Sequence, residues 1–384
     1  MNASTLSTCQ GRRAWSGERH YVHLGKDSAL IVRSREPFNG GPPLSRLAEQ
    51  FLTPVPLFFV RNHGSVPVIN PATYRLRVGG LVKTPLELSL EEIRALPQST
   101  IVAALQCAGN RRSELMAVAP IHGEIPWGAE AAGNARWTGV ALREILTAAG
   151  VHASAQHVAF TGQDEVERDG TRFGFGGSIP IHKGLGSEVL LATEMNGDPL
   201  LPVHGFPVRA IVPGYIGARS VKWVGEITVQ EEHSSNHFQA HAYKIFPPEV
   251  RAENADWTRG LMLGELPVNA VICNPHDGAT VPADIADIMV RGYALTGGGR
   301  RVERVDLSVD RGASWHTADL SAEEPPWAWR LFSRRFSFSP GRQELIARAW
   351  DSAASTQPED ARTLWNFKGY MNNAWHRVRF EVAG

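Results

Sequence analysis

The chain is poor in cysteine: Cys9, Cys107 and Cys273 are far apart, odd in number and in no CxxC spacing, which excludes a disulfide framework and a cysteine-based zinc site. It lacks any apolar run of about 18 residues, so no membrane-spanning helix and no membrane partner are expected. The polar start, which carries Arg12, Arg13 and Arg19, has no apolar segment of the kind a secretory signal needs, and a cytoplasmic protein is the expectation. Neither charge sign is in excess: Lys+Arg and Asp+Glu both count 39, and no basic stripe stands out, which argues against a nucleic acid partner. GxGxxG and Walker loops, HExxH, CxxCH, internal repeats and low-complexity tracts are all missing.

What is present has the composition of a globular protein, with 43% hydrophobic and 20% charged residues, and 384 residues exceed one ordinary core. The pattern divides into an arm over residues 1–36, a mixed domain over 37–255 and a β domain over 262–384. Helical spacing is expected over 44–52 and 137–149, the latter closed by Gly150. Ser89 and Glu92 form a capping box that opens a short helix. Strands are expected over 57–60, 74–82, 101–107, 157–161, 189–195, 206–212 and 220–230. In the third of these, Ile101, Ala103, Leu105 and Cys107 share a face. Helices and strands mix without regular alternation, so the fold class is α+β. Beyond about residue 266 come about seven short alternating segments, one of them 315–320, separated by turns such as Asp310-Arg311-Gly312. These read as an immunoglobulin-like sandwich without the Cys…Trp…Cys framework of antibody domains.

Chemistry concentrates in three places. In Cys107-Ala108-Gly109-Asn110-Arg111-Arg112-Ser113-Glu114 a soft ligand and two guanidinium groups share one turn, a pairing suited to a metal acting on an anion; a cysteine ending a strand is also commonly a small buried hydrophobe. In residues 204–223, His204, Arg209, Arg219 and Lys222 stand among glycines, where they can anchor a phosphorylated cofactor or be solvated charges on a loop. His233, His237 and His241 lie close together but lack a matching zinc pattern, and solvated histidines are the expectation.

Four motifs carry a specific resemblance: residues 107–114, His204-Gly205-Phe206-Pro207-Val208-Arg209, residues 217–223 as Gly-Ala-Arg-Ser-Val-Lys-Trp, and Trp375-His376-Arg377-Val378. Together they resemble the sulfite oxidase family of molybdenum enzymes, over nearly the whole chain from about Pro37. The resemblance implies that Cys107 ligates molybdenum carried by a pyranopterin cofactor. It implies that Phe59, Val60, Arg61, Asn62, His63, Asp164, His204, Arg209, Ser220, Val221 and Lys222 hold the pterin and its phosphate. Arg61 and Arg112 would line the substrate pocket with Trp127 as its aromatic wall, and Tyr243 would stand beside the reacting oxygen. Where the family has Trp-Asn-Leu-Arg-Gly, this chain has Trp365-Asn366-Phe367-Lys368-Gly369, which keeps a pocket charge but loses the arginine fork.

The implied reaction is oxidation of sulfite, or of a related small oxyanion, with no haem in the chain and electrons passed to oxygen or to a separate carrier such as a cytochrome c. The β domain resembles the family's dimerisation domain, so a homodimer is expected. The alternatives are reduction of another oxyanion such as nitrate, and a non-catalytic cofactor-binding protein. Tyr243 and Lys368 favour the sulfite side, because nitrate reductases resemble Asn and Met at those positions.

Overall fold

A period-two burial pattern along Arg75–Gly80 and an apolar end to Gln98–Gln106 make strands, because alternate side chains then fall on one face. The structure, a computed structural model, describes residues 24–168, 170–282, 287–322 and 325–384. Cys9, Arg12, Arg13 and Arg19 lie outside the described residues.

Two sheets build the first part. One runs Gly176–Pro180, His157–Gly162, Val224–Gln230, Arg75–Gly80 and Leu86–Ser89, antiparallel except where Val224–Gln230 lies parallel to Arg75–Gly80. The other sets Leu190–Met195, Ala132–Ala141 and Gln98–Gln106 side by side, with Arg209–Ile211 also paired to Leu190–Met195. The helices Leu90–Ala95 and Leu142–Ala149 close an apolar core with the first sheet through Leu90, Ile93, Ile145 and Leu146. The expected capping box holds Leu90–Ala95: Ser89 Oγ accepts from Glu92 N–H, and the Glu92 side chain accepts from Ser89 N–H.

Two helical expectations shrink. Residues 137–141 are strand, because Ala132–Ala141 is bonded on both edges and its ladder overrides a helical spacing of apolar residues; the helix starts at Leu142 and stops at Gly150, φ 71°. Of residues 44–52 only Leu44–Leu47 is helical. The Phe51 carbonyl accepts instead from Asn134 Nδ2 and Trp329 Nε1, both at 3.0 Å. Residues 57–60 are not a regular strand either: a 3₁₀ turn Val55–Leu57 leads to a single bridge between Val60 and Gly40.

The last part is the expected sandwich. One sheet holds Asn269–Asn274, Asp287–Leu295, Arg330–Ser337 and Asp319–Leu320; the other holds Thr280–Val281, His376–Val382, Gly341–Asp351, Val302–Ser308 and His316–Thr317. The segment expected as one strand over 315–320 thus splits, and the chain changes sheets at the buried Ala318. Between the inner faces lies a core that includes Val290, Val305, Leu345 and Val378. A further cluster joins Leu47, Ala104, Ile216 and Tyr243 to Val271, Tyr293, Trp329 and Tyr370, so the two parts share apolar packing beside the cysteine turn. Among the described residues no helix is long and apolar enough to cross a membrane.

Candidate cofactor and oxyanion site

Cys107 follows the last residue of Gln98–Gln106 and is buried. As alternation requires, Ala103, Leu105 and Cys107 lie in one cluster, with Ile101 against it. Its backbone N–H donates to Ala131 O at 2.9 Å, and Gly109 N–H points at Sγ from 3.4 Å. Cys107 lines a cleft whose space, open solvent included, is about 680 Å³. Phe59, Val60, Arg61, Asn62, His63, Asp164, His204, Arg209, Ser220, Lys222 and Tyr243 line the same cleft. Val221 does not line it. Ser220 and Lys222 turn toward the cleft, and the residue between them points the other way, into the core under the first sheet.

The cleft floor concentrates cations. Arg209, across the Trp137 ring at 4.9 Å, donates to His204 O and Ser220 O and leaves its buried Nε without a partner among the described residues. Lys222 donates to Asn62 Oδ1 and Val203 O. Lys26, 4% exposed, donates to Phe58 O at 2.8 Å and meets His204 Nε2 at 2.9 Å. Burial pulls Lys26 down to about 7 and Arg209 down to about 9. Burial and then Arg209 push Lys222 well below its ordinary value, while burial and then Lys26 keep His204 neutral. Asp164 is the acidic group facing Lys222; burial raises its carboxyl, against the pull of the Phe175 N–H that its Oδ1 accepts and of Lys222. A low-polarity cleft carrying this much unbalanced positive character, with an unpartnered guanidinium nitrogen, fits a buried polyanion such as a phosphorylated cofactor. The donor set fits as well. Among the described residues no three His, Cys, Asp or Glu side chains converge on a metal. A lone thiolate therefore suits a metal that brings its remaining ligands with it.

Tyr243 connects the cleft to a second charged group. Its hydroxyl lies 3.1 Å from His63 Nε2, whose ring stacks on Phe175 at 4.8 Å; burial, helped by Arg61, holds His63 neutral. The other face of Tyr243 stacks on Tyr370 at 5.2 Å. Burial pushes the Tyr243 phenol up, against the pull of Arg61, so it is a neutral hydrogen-bond donor. Behind this pair stand Arg112, with its guanidinium 5.0 Å from the Tyr370 ring, and Lys368, 5.9 Å from it. Arg112 Nε donates to Lys368 O at 3.0 Å and Gly369 O at 3.2 Å, and Nη1 donates to Ile125 O at 2.8 Å. Two glycines make the seat: a Cβ on Gly109 would lie 2.5 Å from Arg112 Nη2, and one on Gly369 2.6 Å from its Cγ. Trp127 is wholly buried in the cluster that contains Cys107, and its Nε1 has no partner among the described residues. Arg112 and Lys368 are thus not on the cofactor cleft but beside it, at Tyr370, and Trp127 is packed in the Cys107 cluster without lining the cleft.

Several residues of the site have no clear signature in the sequence. Lys26 falls in the segment expected to be an arm, and a single lysine there carries no local signal. For Arg111 the motif implies no particular contact. It is nevertheless 0% exposed, at φ 64°, and makes a two-pronged pair with Glu114 at 2.8 and 2.7 Å. It also donates to Asn269 Oδ1, Ala374 O and Trp375 O, tying the cysteine turn to the sandwich. The Arg-Glu spacing of three is its one visible clue. Glu124 and Tyr370, both at the second charged group, are likewise unmarked by any local pattern. Of the three clustered histidines, His237 and His241 stack on each other at 5.7 Å on one helical turn.

Comparison with known proteins gives a consistent picture. Residues 63–238 match the family described as an oxidoreductase molybdopterin binding domain, and residues 261–383 match a Mo-co oxidoreductase dimerisation domain. The chain is 39% identical over 376 residues to a sulfite oxidase of Arabidopsis thaliana, covering 92% of this chain and 94% of that one. It is 44% identical over 371 residues to a mitochondrial sulfite oxidase of Drosophila melanogaster, covering 93% of this chain and 64% of the relative, so it spans under two thirds of that protein's length. Among solved structures, the sulfane dehydrogenase SoxCD from Paracoccus pantotrophus shares the fold, with a TM-score of 0.76 at 24% identity over 97% of this chain and 92% of that chain.

Proposed function

The chain belongs to the sulfite oxidase family of molybdopterin oxidoreductases, and we propose that it oxidises sulfite to sulfate. The observation that carries the reading is the convergence, at one cleft, of the Cys107 thiol, the Tyr243 hydroxyl and a set of buried cations whose positive charge is unbalanced. When bound, a molybdenum pyranopterin would supply the oxygen transferred to sulfur and take up two electrons. Cys107 would hold the metal through Sγ, on a turn fixed by Ala131 and Gly109. Phe59, Asn62, His63, Asp164, His204, Arg209, Ser220 and Lys222 would hold the pterin, with Lys26, Arg209 and Lys222 offsetting its phosphate.

Sulfite is a small dianion that must approach an already anionic centre. Arg61, Arg112 and Lys368 would lower that electrostatic cost and hold the anion in place. Tyr243, oriented by His63 and stacked on Tyr370, would donate its phenolic proton as a hydrogen bond to an oxygen of the reacting anion. Electrons would pass to oxygen or to a separate carrier such as a cytochrome c. A division into a cofactor-binding part over 37–255 and a sandwich over 262–384 that pairs two copies as a homodimer agrees with the dimerisation-domain match.

The test is metal content together with sulfite-dependent ferricyanide reduction, in the native protein and in Cys107→Ser. The expected result is molybdenum at about one per chain and turnover abolished by the substitution. Unchanged turnover in Cys107→Ser, or reduction of nitrate without oxidation of sulfite, overturns the proposal.

A further inference from the structure

Arg112 and Lys368, the two cations behind Tyr243 and Tyr370, are engaged by the same carboxylate. Glu124 Oε2 lies 3.4 Å from Arg112 Nη2, and its Oε1 pairs with Lys368 Nζ. The side chains are 13%, 2% and 20% exposed respectively, so solvent screens the triad only partly. One carboxylate bridging two cations with its two oxygens makes the same two-point contact that an oxyanion would make there. Glu124 also lies near the two stacked phenols: burial raises Tyr370, and the nearby Glu124 charge raises it further, as it does Tyr243.

The segment that carries Glu124 is anchored downstream of it. Downstream, Ile125 O accepts from Arg112 and Trp127 O from Ser113 N–H. Upstream, Gly123 sits at φ 72° with nothing within 4 Å of where a Cβ would be, and the Glu124 side chain, 13% exposed, reaches solvent.

On the premise that the site binds sulfite, we propose that Glu124 is a built-in competitor for the oxyanion. It holds the anion position between Arg112 and Lys368, and substrate binds by displacing its carboxylate. Two consequences follow. Every anion meets the same displacement cost, so weakly held anions fall to low occupancy while their ranking is unchanged. Product sulfate meets the same competitor, so Glu124 returning to the cations promotes its release.

The experiment is calorimetric titration of sulfate and, separately, of nitrate into the oxidised holoenzyme, wild type and Glu124→Gln. If Glu124 must be displaced, removing its charge tightens both anions by the same factor, about ten-fold for a partly screened ion pair. Steady-state kinetics then show a lower KM for sulfite with stronger product inhibition by sulfate. Unchanged or weaker binding in Glu124→Gln overturns the proposal, because Glu124 would then be positioning the cations rather than competing for them. A gain for the dianion that is the square of the gain for the monoanion also overturns it, since that is the signature of a fixed field and not of displacement. Should Glu124→Gln fail to fold, Glu124→Ala is read in the same way. The titrations need no turnover, so an enzyme that binds these anions yet oxidises no sulfite refutes the functional assignment while still deciding the role of Glu124.

Discussion

Replacing Gly109 with alanine would test how closely the cysteine turn and the substrate cation are coupled. The added Cβ would stand 2.5 Å from Arg112 Nη2, 2.6 Å from Cζ and 2.7 Å from Nη1, which is inside van der Waals contact for all three atoms. The clash is with the far end of a side chain and not with backbone, so the chain can fold by moving the guanidinium. Moving it strains the bonds from Nε to Lys368 O and Gly369 O and from Nη1 to Ile125 O. A charge-assisted bond of this kind contributes about 1.5–3 kcal/mol. Misplacing a cation that meets the anion directly costs about 2–4 kcal/mol, or roughly 30- to 1000-fold in kcat/KM. Sulfite and sulfate are both dianions, so Arg112 contributes mostly uniform binding and the larger change is expected in KM. The assay is sulfite-dependent ferricyanide reduction on protein whose thermal unfolding matches the parent. A kcat/KM within about three-fold of the parent would refute the placement of Arg112 at the substrate.

Arg111→Met should destabilise the fold by about 3–5 kcal/mol, because it strands buried carbonyls and the Glu114 partner; denaturant unfolding that shifts by less than about 1 kcal/mol would show the clamp to be dispensable. His376 accepts from Ile272 N–H, and burial, with Arg111 beside it, holds its pKa down at about 3. The unfolded imidazole takes a proton near pH 6.5, so between about 6.5 and 3 the unfolded state binds more protons, and this stability is present above 6.5 and lost as the pH falls. Between pH 7 and 4.5 wild type should therefore lose about 2–3 kcal/mol more than His376→Gln; parallel profiles in denaturant titrations would sink that assignment. Protein made without the pterin should melt at a lower temperature than the loaded form, since Lys26, Arg209 and Lys222 then lack a counter-charge. Inorganic phosphate should restore part of the difference, and Lys222→Met should narrow it; equal melting of loaded and depleted protein argues against the phosphate role.

Patterns local to the chain are legible in the order of its residues. Alternation along 101–107 places Cys107 on the face of Ala103 and Leu105, and the fold keeps it there. The capping box at Ser89 and the αL stop at Gly150 form where the residues indicate, since both depend on neighbours within one turn. Expectations fail where distant partners decide. Residues 137–141 carry helix-like spacing but become strand because two other strands bond to them. Val221 sits inside a motif yet turns its side chain into the core, since strand-like backbone lets only alternate residues face the cleft.

By itself, then, the sequence determined the sheet faces, the cysteine turn and the two-part architecture, because each is written in residue spacing over short range. Only the tertiary structure decided the charge balance of the site. It brought Lys26 beside His204, across 178 residues, and Glu124 onto Lys368, across 244. Coulomb interactions act through space and are strongest where water is excluded, and neither proximity nor burial can be read from the order of residues along a chain.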